Sequence, residues 1–106
     1  MTIETQRTDV EPRGARFDRA YFGTPMLDVT SSNVGRIGYD EGTRRLYVQF
    51  RDKRADSRDG TVYEYEDVPE DVFEELMAQE ELDDGSVGTA FHRIVKSVGY
   101  GCRRIR

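Results

Sequence analysis

The side chains of this chain best suited to chemistry or recognition are aromatic and basic. In TVYEYEDV, residues 61–68, Tyr63 and Tyr65 stand one residue apart. On a strand that spacing puts both rings on one face. Such a face either stacks nucleobases or fills a core. Nearby, Arg51, Lys53, Arg54 and Arg58 crowd one segment, RDKRADSRDG. Arg93, Lys96, Arg103, Arg104 and Arg106 gather at the C-terminal end. If the two groups meet in space, they offer phosphate contacts. If they do not, they are a solvated loop and a cationic helix end that suits its own dipole. The residues expected to touch nucleic acid are Arg51, Arg54, Arg58, Arg93 and Lys96.

Other candidates have plainer alternatives. His92 is the single histidine. It has the chemistry of a general base, a metal ligand or a reader of RNA edges, and equally that of a hydrogen-bonded helix residue at a rim. With no cysteine close by, zinc is not expected. Cys102 lies beside two arginines, which would favour its thiolate, but it is a lone cysteine near the chain end. Ser31, Ser32 and Asn33 could bind a ligand phosphate, or satisfy backbone groups at a strand entrance. No base stands near them to activate a nucleophile. The acids between Glu64 and Asp84 lack calcium-loop spacing. No catalytic pair, metal site or cofactor is expected, and the chain reads as a non-enzyme.

Charge is segregated along the chain. Residues 64–84 carry eleven acids and no base, while residues 85–106 carry five bases and no acid. The net charge of -5 therefore leaves room for a locally positive end. A mean hydropathy of -0.77 leaves no apolar run near the ~18 residues a membrane span needs. The first seventeen residues lack a basic stretch followed by an apolar one, so no secretory leader is expected. A single cysteine fits a reducing, cytoplasmic setting, with no membrane partner.

Positioning these groups falls to one domain, since 106 residues rarely make two. Residues 1–27 show no sustained period and read as an irregular or partly disordered arm. Residues 28–106 read as the domain. A first strand runs through VTSSNVGRIGYD, with Gly35, Ile37 and Tyr39 alternating. RRLYVQF alternates cleanly, Leu46, Val48 and Phe50 against Tyr47, Gln49 and Arg51. TVYEYEDV is the third strand. Pro69 then opens a helix whose stripe is Val72, Phe73, Leu76 and Met77. Ser86 caps a second helix, burying Val87, Phe91, Ile94, Val95 and Val98. The expected fold is α+β: a three-stranded antiparallel meander covered on one face by two C-terminal helices, in the order β-β-β-α-α. Burying Glu64 and Glu66 unpaired is expensive. Tyr63 and Tyr65 are therefore expected to face the helices, with both carboxylates in water.

Four motifs in order carry a family resemblance. They are Ser31-Ser32-Asn33, Gly38-Tyr39-Asp40, Tyr63-x-Tyr65 followed by Val68-Pro69, and Ser86-x-Gly88. Together they resemble the KTSC domain, named for the C-terminus of some lysyl-tRNA synthetases and found also as small free-standing bacterial proteins. The resemblance covers roughly residues 29–98. It departs at RDKRADSRDG, where the family usually has a tight glycine turn, in the extended link QEELDDG, and at His92, where the family commonly has asparagine. The resemblance implies RNA as a partner. The alternative is a protein–protein or self-association module that uses a sheet edge, or the acidic helix against a basic partner.

Overall fold

The computed structural model describes residues 20–21, 23–82 and 85–106. The arm expected over residues 1–27 lies mostly outside them. Its described end forms three short strands: β1 (Ala20–Tyr21), β2 (Thr24–Pro25) and β3 (Leu27–Asp28). Strands β1 and β2 pair with each other, while β3 joins the main sheet.

The meander read from the sequence is present as β4 (Val34–Asp40), β5 (Arg45–Phe50) and β6 (Val62–Tyr65). Helix α1 (Glu70–Glu81) and the short helix α2 (Val87–Phe91) follow. The architecture is α+β with an antiparallel sheet and two helices, but the sheet has five strands, not three: β3-β4-β5-β6-β7. The last strand, β7 (Cys102–Arg104), runs antiparallel to β6. Its residues are all exposed, so it has no apolar alternation to give it away. Backbone bonds hold it instead, Glu66 N–H to the Gly101 carbonyl at 2.8 Å and Ile105 N–H to the Val62 carbonyl at 2.9 Å. The positive φ of Gly99, 90°, belongs to the turn that brings this segment back.

The core lies between one sheet face and the helices. It joins Ile37, Leu46, Val48 and Tyr65 to Leu76, Val87, Phe91 and Val95. Tyr63 packs against it half-buried, and Tyr65 is 5% exposed. The inward orientation of the tyrosine pair therefore holds. The expectation for the glutamates does not: Glu66 is exposed, but Glu64 is 1% exposed. The opposite sheet face is buried too, at Tyr47, Gln49 and Val62. Glu64 tolerates burial because β7 sets Arg103 directly across from it, and Arg103 Nε donates to Glu64 Oε1 at 2.9 Å.

The helices also differ in detail from the sequence reading. Pro69 sits one residue before α1, at its cap, with φ −64°. The second helix does not run regularly to Val98. Residues His92–Lys96 form a π-helical turn, in which Ser97 N–H donates to the His92 carbonyl at 3.0 Å. The wider turn shifts the phase of the stripe. Val95 is buried, whereas Val98 lies 59% exposed.

Three phenols are shifted upward, chiefly by burial. Burial raises the pKa of Tyr65 to about 12, with Cys102 and Tyr63 adding to it. Burial is also the main cause raising Tyr47, with Glu64 next, and it raises Tyr39. Each fold therefore favours the neutral phenol, while the unfolded phenol ionises near 10.0. Stability is expected to be whole below about pH 10 and to decline toward about pH 12. Urea midpoints at about pH 9 and about pH 11 check this, and Tyr65→Phe should decline less over that interval.

Candidate functional site

The segment from Arg51 to Gly60 is an ordered excursion, not a loose loop. Asp52 and Ser57 exchange backbone bonds at 2.9 and 3.1 Å. Asp52 Oδ1 accepts from the N–H groups of Arg54 and Ala55. At its far end Gly60 N–H donates to the Phe50 carbonyl at 3.0 Å, and a Cβ there would collide with that same oxygen. Arg36 pins the excursion to the sheet. Its Nη1 reaches Asp59 Oδ1 at 2.8 Å, the Arg58 carbonyl at 3.2 Å and Gln49 Oε1 at 3.0 Å, while its Nε reaches Asp28 Oδ1 at 2.9 Å.

This anchoring brings the two basic groups of the sequence together. A cavity of about 550 Å³ lies between the excursion and the C-terminal end. Arg51, Lys53 and Arg54 line it from one side, and Arg104 and Arg106 from the other. Its carboxylates, Asp52 and Asp59, already serve the turn's backbone and Arg36. Arg51 also meets Asp56 at 3.5 Å, a long and exposed pair worth little. The basin is therefore net positive, with five cations against two carboxylates, of which Asp59 is paired with Arg36.

Two smaller hollows continue from it. One, about 260 Å³, shares Arg51 and Lys53 with the basin and adds Asn33, His92, Lys96, Phe50 and Phe91. The other, about 230 Å³, shares Phe50 and Lys96 with that hollow and is lined by Tyr63, Tyr65, Val95, Tyr100 and Cys102. Around Phe50 the rings meet edge-on, Tyr63 at 5.9 Å and Phe91 at 5.6 Å. Basin, hollow and slot thus run from cations to aromatics along one corner of the domain.

The expected nucleic-acid residues divide accordingly. Arg51 and Arg54 line the basin, and Lys96 lines the hollow and the slot. Arg93 is exposed on the π-helical turn and lines none of the three. Arg58 turns away: its Cβ lies 2.9 Å from where a Cβ on Gly35 would stand, and its Nε is buried without a partner among the described residues. Sequence reasoning placed Arg104 and Arg106 in the C-terminal basic group but not among the residues expected to touch nucleic acid; the β7 pairing carries them to the loop. His92 is exposed in the hollow, and Cys102 is exposed at the slot. Among the described residues no group of three or more His, Cys, Asp or Glu is arranged to hold a metal ion. Nor is any helix there long and apolar enough to cross a membrane.

The remaining motif residues hold the frame. Ser31 Oγ accepts from the N–H groups of Asn33 and Val34, both at 3.2 Å, and so opens β4. It also lies 3.0 Å from where a Cβ on Gly88 would be, so the first turn of α2 comes close only because residue 88 is glycine. Ser86 Oγ accepts from Thr89 N–H at 3.1 Å and caps α2. The Tyr39 hydroxyl donates to the Val68 carbonyl at 2.5 Å, tying β4 to the Val-Pro step before α1. The KTSC domain family model matches residues 30–100, which contain all four of these motifs. The chain belongs to the KTSC domain family. The crystal structure of a KTSC domain protein from Yersinia pestis is similar to it, with 31% sequence identity and a TM-score of 0.62. That likeness covers 78% of this chain and 99% of the other. Comparison with curated proteins gives no match. The KTSC match ends before Arg104 and Arg106, so the basin combines family-matched sequence with a C-terminal segment beyond it.

Proposed function

We propose that this KTSC domain is a non-catalytic binding module for single-stranded RNA. One observation carries the reading: the Arg51–Gly60 excursion and the C-terminal end face each other across one basin with five cationic side chains. Phosphate contacts supply most of the sequence-independent affinity for nucleic acid. The slot's half-exposed rings, Phe50, Tyr63 and Tyr100, favour a single strand, whose bases can be splayed out, over an A-form duplex, whose base edges are hard to reach, while Tyr65 stays in the core. The acids of residues 64–84 do not line the basin.

Self-association through the β7 edge is the weaker alternative. That strand is three residues long and carries Arg103 and Arg104, the kind of charge that keeps edges from pairing. Two copies paired there would bring like charges together.

Fluorescence anisotropy with a labelled single-stranded RNA tests the proposal. Binding should weaken steeply with salt, with a slope of about −0.7 for each phosphate neutralised. Lys53→Glu with Arg104→Glu should weaken it on the order of 100-fold. Failure to bind any single-stranded RNA at low salt overturns the reading. So does a co-purifying protein whose affinity ignores both reversals, which would return the module to protein partners.

A further inference from the structure

The hollow beside the basin differs from it in kind. Arg51, Lys53 and Lys96 converge on it with His92 and Asn33, and no carboxylate lines it. Among the described residues the side chains of Asn33, Lys53, His92 and Lys96 form no hydrogen bond or ion pair with other groups. With no carboxylate among its lining residues, the hollow presents unopposed positive charge to an incoming anion. Its position is also set with unusual care. Asn33 is held against the excursion by the Arg51 N–H, which donates to the Asn33 carbonyl at 2.8 Å. His92 and Lys96 begin and end the π-helical turn, a local widening that recurs at functional sites. The turn is fastened by Ser97, whose N–H and hydroxyl both donate to the His92 carbonyl, at 3.0 and 2.8 Å.

Size and charge narrow the ligand. At about 260 Å³ the hollow falls just below the range of ordinary small-molecule pockets, roughly 300–1,000 Å³. It suits one ligand group rather than a length of strand. A diester phosphate carries one negative charge, whereas a phosphomonoester carries about −1.5 to −2 near pH 7 and offers three strong acceptor oxygens. Three cations from two separate segments match the second better than the first. The apolar part of the lining, Phe50 and Phe91, and the aromatic slot that shares Phe50 and Lys96, give an attached nucleoside somewhere to lie.

We infer that the hollow framed by Asn33, Arg51, Lys53, His92 and Lys96 is a phosphomonoester site. Its ligand is the terminal phosphate of an RNA strand or the phosphate of a free nucleotide. The strand-end form rests on the RNA-binding function proposed above; the nucleotide form does not.

The test compares one labelled oligonucleotide with a 5′-phosphate, a 3′-phosphate or hydroxyls at both ends, at constant salt. One phosphorylated end should bind at least about tenfold tighter than the hydroxyl form. Lys96→Glu should erase that preference, whereas Arg54→Glu, in the basin alone, should weaken all three strands alike. Both residues are exposed, and circular dichroism confirms that the variants fold. Equal affinity for the three strands overturns the strand-end form and leaves the RNA reading intact. If no strand binds but a nucleoside monophosphate does, and Lys96→Glu abolishes it, the inference stands and the RNA reading falls. A monophosphate that binds no better than its nucleoside, together with no preference among strand ends, removes the site altogether.

Discussion

Tyr65→Ala is expected to destabilise the domain by about 3–5 kcal/mol, the usual cost of truncating a buried aromatic. Tyr65 is 5% exposed, its ring stands edge-on to Phe91 at 5.7 Å, and its backbone pairs with Leu46 on one side and Cys102 on the other. A hollow of about 230 Å³ already adjoins the ring. Truncation would therefore enlarge an existing space, which the surroundings can hardly close. Against a typical stability of about 5–15 kcal/mol, the loss removes a large share of the total and should move the denaturation midpoint well below that of the parent. Tyr65→Phe keeps the ring and should cost less than about 1.5 kcal/mol. Chemical denaturation of the three proteins measures both. A loss under about 1 kcal/mol for the alanine variant would mean the ring is not part of the core.

The second large effect comes from an exposed residue. Arg103→Ala should lower the melting temperature on the order of 10 °C, though the Arg103 side chain is 61% exposed. The cost arises at its partner. Glu64 is 1% exposed, its Oε1 accepts from Arg103 Nε, and its Oε2 has no hydrogen-bond partner among the described residues. Removing the guanidinium leaves the buried carboxylate with the neutral Tyr47 phenol beside it and no cation to balance its charge, whereas replacing the acid with an apolar side chain removes the charge altogether. Glu64→Leu should accordingly be mild, because Arg103 can turn to water. The double variant should recover most of what Arg103→Ala loses. A double-mutant cycle by thermal unfolding checks this. If Glu64→Leu fails to rescue Arg103→Ala, the loss comes from β7 itself and not from the stranded charge.

These two residues also mark how far the sequence could be read. Tyr65 was legible because strand alternation is local: a ring and a carboxylate on neighbouring residues must point to opposite sides. That rule cannot say whether the carboxylate's side is wet. Glu64 is buried because a segment 39 residues away returns to lie beside it. The same return places Arg104 and Arg106 at the basin, which charge clustering suggested but could not assemble. Arg58 makes the opposite case. It belongs by sequence to the basic cluster, yet the close approach to Gly35 turns it from the site. The π-helical turn was hidden for a related reason, since Val98 fits an α-helical stripe and only the five-residue bond at His92 shifts it outward.

By itself the chain determined the features that depend on near neighbours. These are the alternation of β4, β5 and β6, the apolar stripe of α1, the Ser86 cap and the motifs of the KTSC family. Tertiary structure alone decided the outer strands, the burial of Glu64 and which cations share a basin. The physical reason is range. Periodicity and capping act within a few residues, whereas an edge strand is held by backbone bonds that leave no pattern in its own side chains.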